Sequence, residues 1–138
     1  MEDGELVLTD SSSILKYVRE KSGAGFLVDI EDYELFAMTN TLLDSALNQF
    51  FLEQAGVTAD QVPYLARQRD RVISGARELN RRIDPADGIA RDSALRCACF
   101  LGWAQFPNRL SLDGLDNLQA LLATANENEL FAETAPPR

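Results

Sequence analysis

A chain of 138 residues fits one compact domain, and 46% apolar with 25% charged residues is an ordinary globular composition that needs no disulfide or metal to hold a core. Thirteen basic residues stand against twenty-two acidic ones, a formal charge of −9, which argues against nucleic acid and against an anionic membrane surface as partners. The chain has no histidine, which excludes a Ser-His-Asp or Cys-His triad, and with only two cysteines it leaves almost no route to a tetrahedral zinc site, so no metal is expected.

The opening "MEDGEL" is acidic and leads into no long apolar run, so no signal peptide and no membrane span are expected. "GELVLT" is a short strand candidate after a turn at Asp3-Gly4, and such a strand needs a neighbour to satisfy its backbone. "LTDSSSILKYV" follows. Asp10, Ser11, Ser12 and Ser13 stand directly before a helix over residues 11–21, with Ile14, Leu15 and Val18 on one side, ended by "SGAG". Asp and Ser are preferred caps, so a capped helix is the plain expectation here. The same groups could also seat a ligand, because a helix N-terminus attracts anions and an adjacent Asp can hold an ammonium.

"FLVDIEDYE" is an acidic lead-in to a helix from about Tyr33 to Gln54. Leu35, Met38, Leu42 and Ala46 form one stripe, and Phe36, Leu43, Leu47 and Phe50 another, a wider apolar surface than one contact needs. Thr58 to Gln61 fits a capping box before a third helix, about Val62 to Ile83. Its seam is Leu65, Arg69, Val72, Ala76, Leu79 and Ile83. Arg69 in that seam is either a buried ion-pair partner or the point where the seam meets water at a dimer interface. The run "RQRDR" (Arg67 to Arg71) is expected to be a solvated face.

"DPADG" breaks the pattern before a helix from Arg91 to Phe106, apolar almost all round and so the expected centre of a bundle. Asp92 and Arg96 are spaced for an i,i+4 pair on it. Cys97 and Cys99, two apart, face opposite sides and are expected as unbridged, inert core thiols in a reducing, cytoplasmic setting. A last helix from about Leu112 to Ala125 turns Leu115, Leu118, Leu122 and Ala125 inward, followed by an irregular tail, "LFAETAPPR". The expected fold class is therefore all-α, a helical bundle preceded by one strand and one short helix.

Taken in order, "DGELVLTDSSSILKYV", "YLARQRDRVISGARELNRRI", "RDSALRCACFLGWAQF", "LDGLDNLQALL" and "ELFAETAPP" resemble the glutathione S-transferase family, its bacterial members most of all. The first stretch looks like the last strand and helix of that family's thioredoxin-like domain, and the rest like its all-α C-terminal domain. The resemblance implies a division into residues 1–21, a remnant of the thioredoxin-like domain, 22–34, a linker, and 35–138, the C-terminal domain. It implies glutathione as substrate, with Asp10 on the amine and Ser11 on the carboxylate of the γ-glutamyl end. It implies a small electrophile as co-substrate, in a pocket to which Phe36, Asn40, Leu43 and Trp103 could contribute, although core packing is the plainer role for Leu43 and Trp103.

The resemblance also implies a dimer, or another homo-oligomer, formed through the first two bundle helices. Counterparts of the family's thiol-activating residue and of its cis-proline loop lie outside this sequence, so no catalytic residue is assigned, and the chain reads as a truncated, incomplete transferase. The family's central helix usually begins with a Ser or Thr three residues before an Asp. Here Ile89 precedes Asp92, and Asp87 is the alternative cap. A different class of function fits the same helices: a non-catalytic protein–protein interaction module.

Overall fold

A computed structural model describes residues 1–105 and 109–135. Among them are six helices and one two-stranded hairpin, an all-α architecture. The strands are β1 (Glu2–Asp3) and β2 (Leu6–Val7), antiparallel, with Glu2 opposite Val7 and Asp3 opposite Leu6. The strand expected to stand alone is thus half of a local hairpin. The turn is centred on Gly4-Glu5, one residue later than expected, and Gly4 supplies the left-handed φ of 62°.

Helix α1 (Ser11–Lys21) has the expected bounds because its signals are local. Asp10 Oδ1 accepts from the Ser13 N–H at 2.9 Å, and the helix stops at Ser22, before the left-handed Gly23. The hairpin rests on α1 through Asp3, which accepts from the Tyr17 hydroxyl at 2.7 Å and pairs with Lys21.

Helix α2 (Ile30–Gln54) starts three residues earlier than expected, inside the segment read as a linker, because Asp29 caps it by accepting from the Asp32 N–H at 2.8 Å. Helix α3 (Pro63–Arg82) packs along α2. Its approach is permitted by Gly75, where a Cβ would run into the Leu42 side chain. The seam of α3 differs by one residue from expectation. Gln68 is buried and Arg69 points to solvent. A guanidinium would have to shed its water to enter that seam, and a small roll of the helix seats the neutral amide instead. The Thr58–Gln61 box caps a turn rather than the helix. Gln61 Oε1 accepts from the Thr58 N–H at 3.0 Å, while α3 begins at Pro63 without a side-chain cap.

Helix α4 (Asp92–Ala104) is the buried centre, with Cys97, Ala98, Phe100, Leu101 and Ala104 almost fully enclosed by α2 and α5. It is shorter than expected at its end, and Phe106 lies outside the described residues. Helix α5 (Asp116–Glu127) buries Leu118, Leu121 and Ala125, so Leu121, not Leu122, completes its inward stripe. The tail expected to be irregular contains a short helix, α6 (Glu129–Glu133), capped by Asn128, which accepts from the Phe131 N–H at 3.1 Å. Pro136 and Pro137 lie outside the described residues.

Candidate ligand site where α1 meets α2 and α4

Three polar clamps gather at the N-terminus of α4. Arg19 of α1 donates from Nε to Asp92 Oδ1 at 2.8 Å, and the Leu27 N–H donates to Asp92 Oδ2 at 3.2 Å. The second bond fixes Leu27 in the left-handed region at φ 52°, a conformation that costs a branched residue about 1–3 kcal/mol. Asp32, buried on α2, accepts from the Ser93 N–H at 3.1 Å and from Arg91 Nε at 3.4 Å, and Asp29 takes Arg91 Nη2 at 3.0 Å. Neither Ile89 nor Asp87 caps α4; the cap comes from another helix.

This arrangement also dissolves the expected Asp92–Arg96 pair. With Asp92 committed to Arg19 and Leu27, Arg96 turns the other way. Its Nε donates to Asn40 Oδ1 at 2.6 Å, and its guanidinium carbon lies 5.9 Å from the centre of the Phe36 ring. A surface i,i+4 pair is worth only a few tenths of a kcal/mol, so it yields readily to partly buried bonds.

The charge of Arg96 reaches the Asp10 carboxylate. That carboxyl is held below its ordinary value first by the Ser13 N–H, and secondarily by Ser12 and by Arg96. Asn40 and Phe36 are therefore gathered around the Arg96 guanidinium, whose charge adds a minor pull on Asp10, the residue before Ser11. The sequence marked Arg96 only as an i,i+4 partner of Asp92, not as a group that faces Asn40. Asp10 and Ser11 are exposed and Asn40 is half-buried. Phe36 is 3% exposed and its ring meets Phe26 edge-on at 5.5 Å, so it supports Arg96 rather than offering surface.

Trp103 lies apart, about 10 Å farther along α4 by helical rise. It packs edge-on against Phe50 at 6.1 Å and under Arg109 at 4.4 Å, partly buried against the core, as is Leu43.

Chemically, the start of α1 offers backbone N–H groups, in part engaged by Asp10, and the Asp10 carboxylate, while α4 offers the Arg96 guanidinium. Those groups suit the carboxylate and ammonium of an amino-acid head. They supply no activated nucleophile. Burial pushes the Cys97 thiol up to about 12, and desolvation also raises Cys99, against a smaller opposing pull from Arg96. Cys97 is buried, whereas Cys99 is exposed rather than in the core, and both are unbridged. No group of three or more potential metal ligands occurs among the described residues, and no helix among them is long and apolar enough to cross a membrane.

Comparison with protein-family models, with curated proteins and with solved structures finds no match to this chain.

Proposed function

We propose that this chain is a glutathione S-transferase-like bundle that retains a subsite for the γ-glutamyl end of glutathione and lacks the residues that activate its thiol. The observation that carries the reading is Arg96. Its guanidinium bonds Asn40 on the bundle, and its charge adds a minor pull on the Asp10 carboxyl at the start of α1, which the Ser13 N–H holds first. On this reading Ser11 and the neighbouring N–H groups take the ligand carboxylate, with Arg96 adding charge, and Asp10 takes the amine. Conjugation to an electrophile would need a thiol-activating part supplied from outside these residues. A reducing, cytoplasmic setting suits two unbridged thiols.

A second reading, a helical interaction module, is favoured by Phe51 and Leu52 on α2 and by Tyr64 and Ile73 on α3, which leave apolar surface exposed. Self-association through those helices would join the two readings, since the same surface would then form a homo-oligomer.

The deciding experiment is a glutathione titration followed by backbone amide shifts, with Ser11→Ala and Arg96→Gln beside the parent. Saturable shifts at residues 9–13 and 96, weakened about tenfold or more in either variant, support the subsite. An absence of shifts up to about 10 mM glutathione, an affinity range too weak to be specific, removes it and leaves the interaction module.

A further inference from the structure

At the other end of α4 the molecule carries a second feature, independent of the site around Arg96. A cleft of about 340 Å³ opens between the C-terminal half of α2, the middle of α3 and the segment leading into α5. That volume falls at the lower end of the range of small-molecule sites. Its apolar side is formed by Val72, Ala76 and Leu115. Its polar side carries three arginines, Arg69, Arg77 and Arg109, with Asp113 as the only acidic side chain among the described lining residues. In a chain of net charge −9 this is a local reversal of sign.

The three guanidinium groups are poorly matched by the protein itself. Among the described residues Arg77 and Arg109 form no ion pair, and Arg69 has only the adjacent, exposed Asp70 at 3.9 Å. Arg19, Arg81 and Arg91, by contrast, each hold a carboxylate at 3.0 Å or less. Arg109 is also fixed in place. Its guanidinium carbon lies 4.2 Å from the Phe50 ring centre and 4.4 Å from that of Trp103, and Nη1 donates to the Trp103 carbonyl at 2.9 Å. Its buried Nε finds no acceptor among the described residues. Aromatic contact and a backbone carbonyl hold the side chain while leaving its charge unneutralised.

A guanidinium favours oxyanions that accept two parallel N–H bonds, and several around one cleft, with Arg109 fixed and Arg69 and Arg77 exposed, favour a multiply charged one. We propose that the cleft binds a small ligand carrying a multivalent oxyanion, a phosphate or a polycarboxylate. The oxyanion sits among Arg69, Arg77 and Arg109, and any carbon body lies on Val72, Ala76 and Leu115.

The test is a titration with inorganic phosphate and, separately, with citrate, followed by backbone amide shifts at ionic strength held constant with sodium chloride. The expected result is saturable shifts confined to residues 69–77 and 109–115 for at least one probe. Preference for phosphate or for citrate then identifies the oxyanion class. Arg77 is exposed, so Arg77→Gln should fold as the parent does and weaken binding about tenfold or more, the loss expected for one charge-assisted bond. Arg69→Gln should act likewise, while Arg71→Gln, which lines a different groove against α2, should leave binding within about twofold. Two results overturn the proposal. One is an absence of saturable shifts with both probes up to about 20 mM. The other is equal weakening by Arg77→Gln and Arg71→Gln, which would reduce the effect to net charge.

Discussion

Arg19 and Asp92, 73 positions apart in sequence, meet at 2.8 Å, and their pair is the main polar tie between α1 and the bundle. The carboxylate is almost buried and the guanidinium about one-third exposed, so the pair sits between a surface and an interior ion pair. Arg19→Ala is expected to loosen α1 and the segment after it by about 1 kcal/mol, the upper end for exposed pairs. Limited proteolysis should then cut residues 22–28 about fivefold faster, with the thermal transition of the bundle unchanged. An unchanged cutting rate would show that the tie lies elsewhere.

Helices α4 and α5 are both capped from a neighbouring helix. Asp32 serves α4, and Asn80 Oδ1 accepts from the N–H groups of Asn117 and Leu118 at 3.0 and 3.2 Å. Asn80→Ala is expected to cost about 1–2 kcal/mol, as for loss of an ordinary cap. Asp32→Ala is expected to cost more, about 2–3 kcal/mol, because a charged acceptor is lost and the buried Ser93 N–H is left unpaired. Urea unfolding of the two variants checks both the sizes and their order.

The contact between Gly75 and Leu42 should appear as coupling. Gly75→Ala brings a methyl into Leu42 and is expected to destabilise by roughly 1–3 kcal/mol, despite the better helix propensity of alanine. In a Leu42→Ala background the same change should be neutral or stabilising, since the space is then free. A double-mutant cycle by chemical denaturation measures this, and additivity would refute the close approach.

Thiol reactivity separates the two cysteines. At pH 8 the native protein should release about one equivalent with a disulfide reagent, from exposed Cys99, and two after unfolding. Cys97 adds a pH dependence of known sign. Its folded value, about 12, lies above the unfolded value of ~8.5, so the native state is the one that keeps the proton. Its contribution is complete below pH ~8.5 and is lost as pH rises towards 12. Cys97→Ser should change that alkaline slope, and Cys99→Ser should change it less.

Much of the helical order was legible because its signals are local. Asp10 and "SGAG" mark both ends of α1, and the repeat from Leu65 to Ile83 marks α3. Errors of one residue, Arg69 for Gln68 and Leu122 for Leu121, arise because the period does not say which of two adjacent positions faces inward until the partner helix is placed. The non-local bonds were not legible at all. Asp32 with Ser93, Asn80 with Leu118 and Asp92 with Leu27 join residues 38–65 positions apart, and no spacing rule connects them. The candidate site divides in the same way. The Asp10 cap could be read from four consecutive residues, whereas the place of Arg96 on Asn40 depended on where Asp92 found its partners.

The thin attachment of α1 also has a consequence for time scales. The helix contains no buried residue, whereas more than half of α4 is buried. Amides of α1 should therefore exchange with solvent deuterium through small local openings, and those of α4 only when the whole bundle opens. The two sets should respond differently to denaturant. Exchange in α4 should accelerate steeply, tracking the large surface exposed by global unfolding, while exchange in α1 should stay nearly flat. One molecule would then keep two clocks, a fast one at the surface that carries Asp10 and a slow one in the core that carries Cys97.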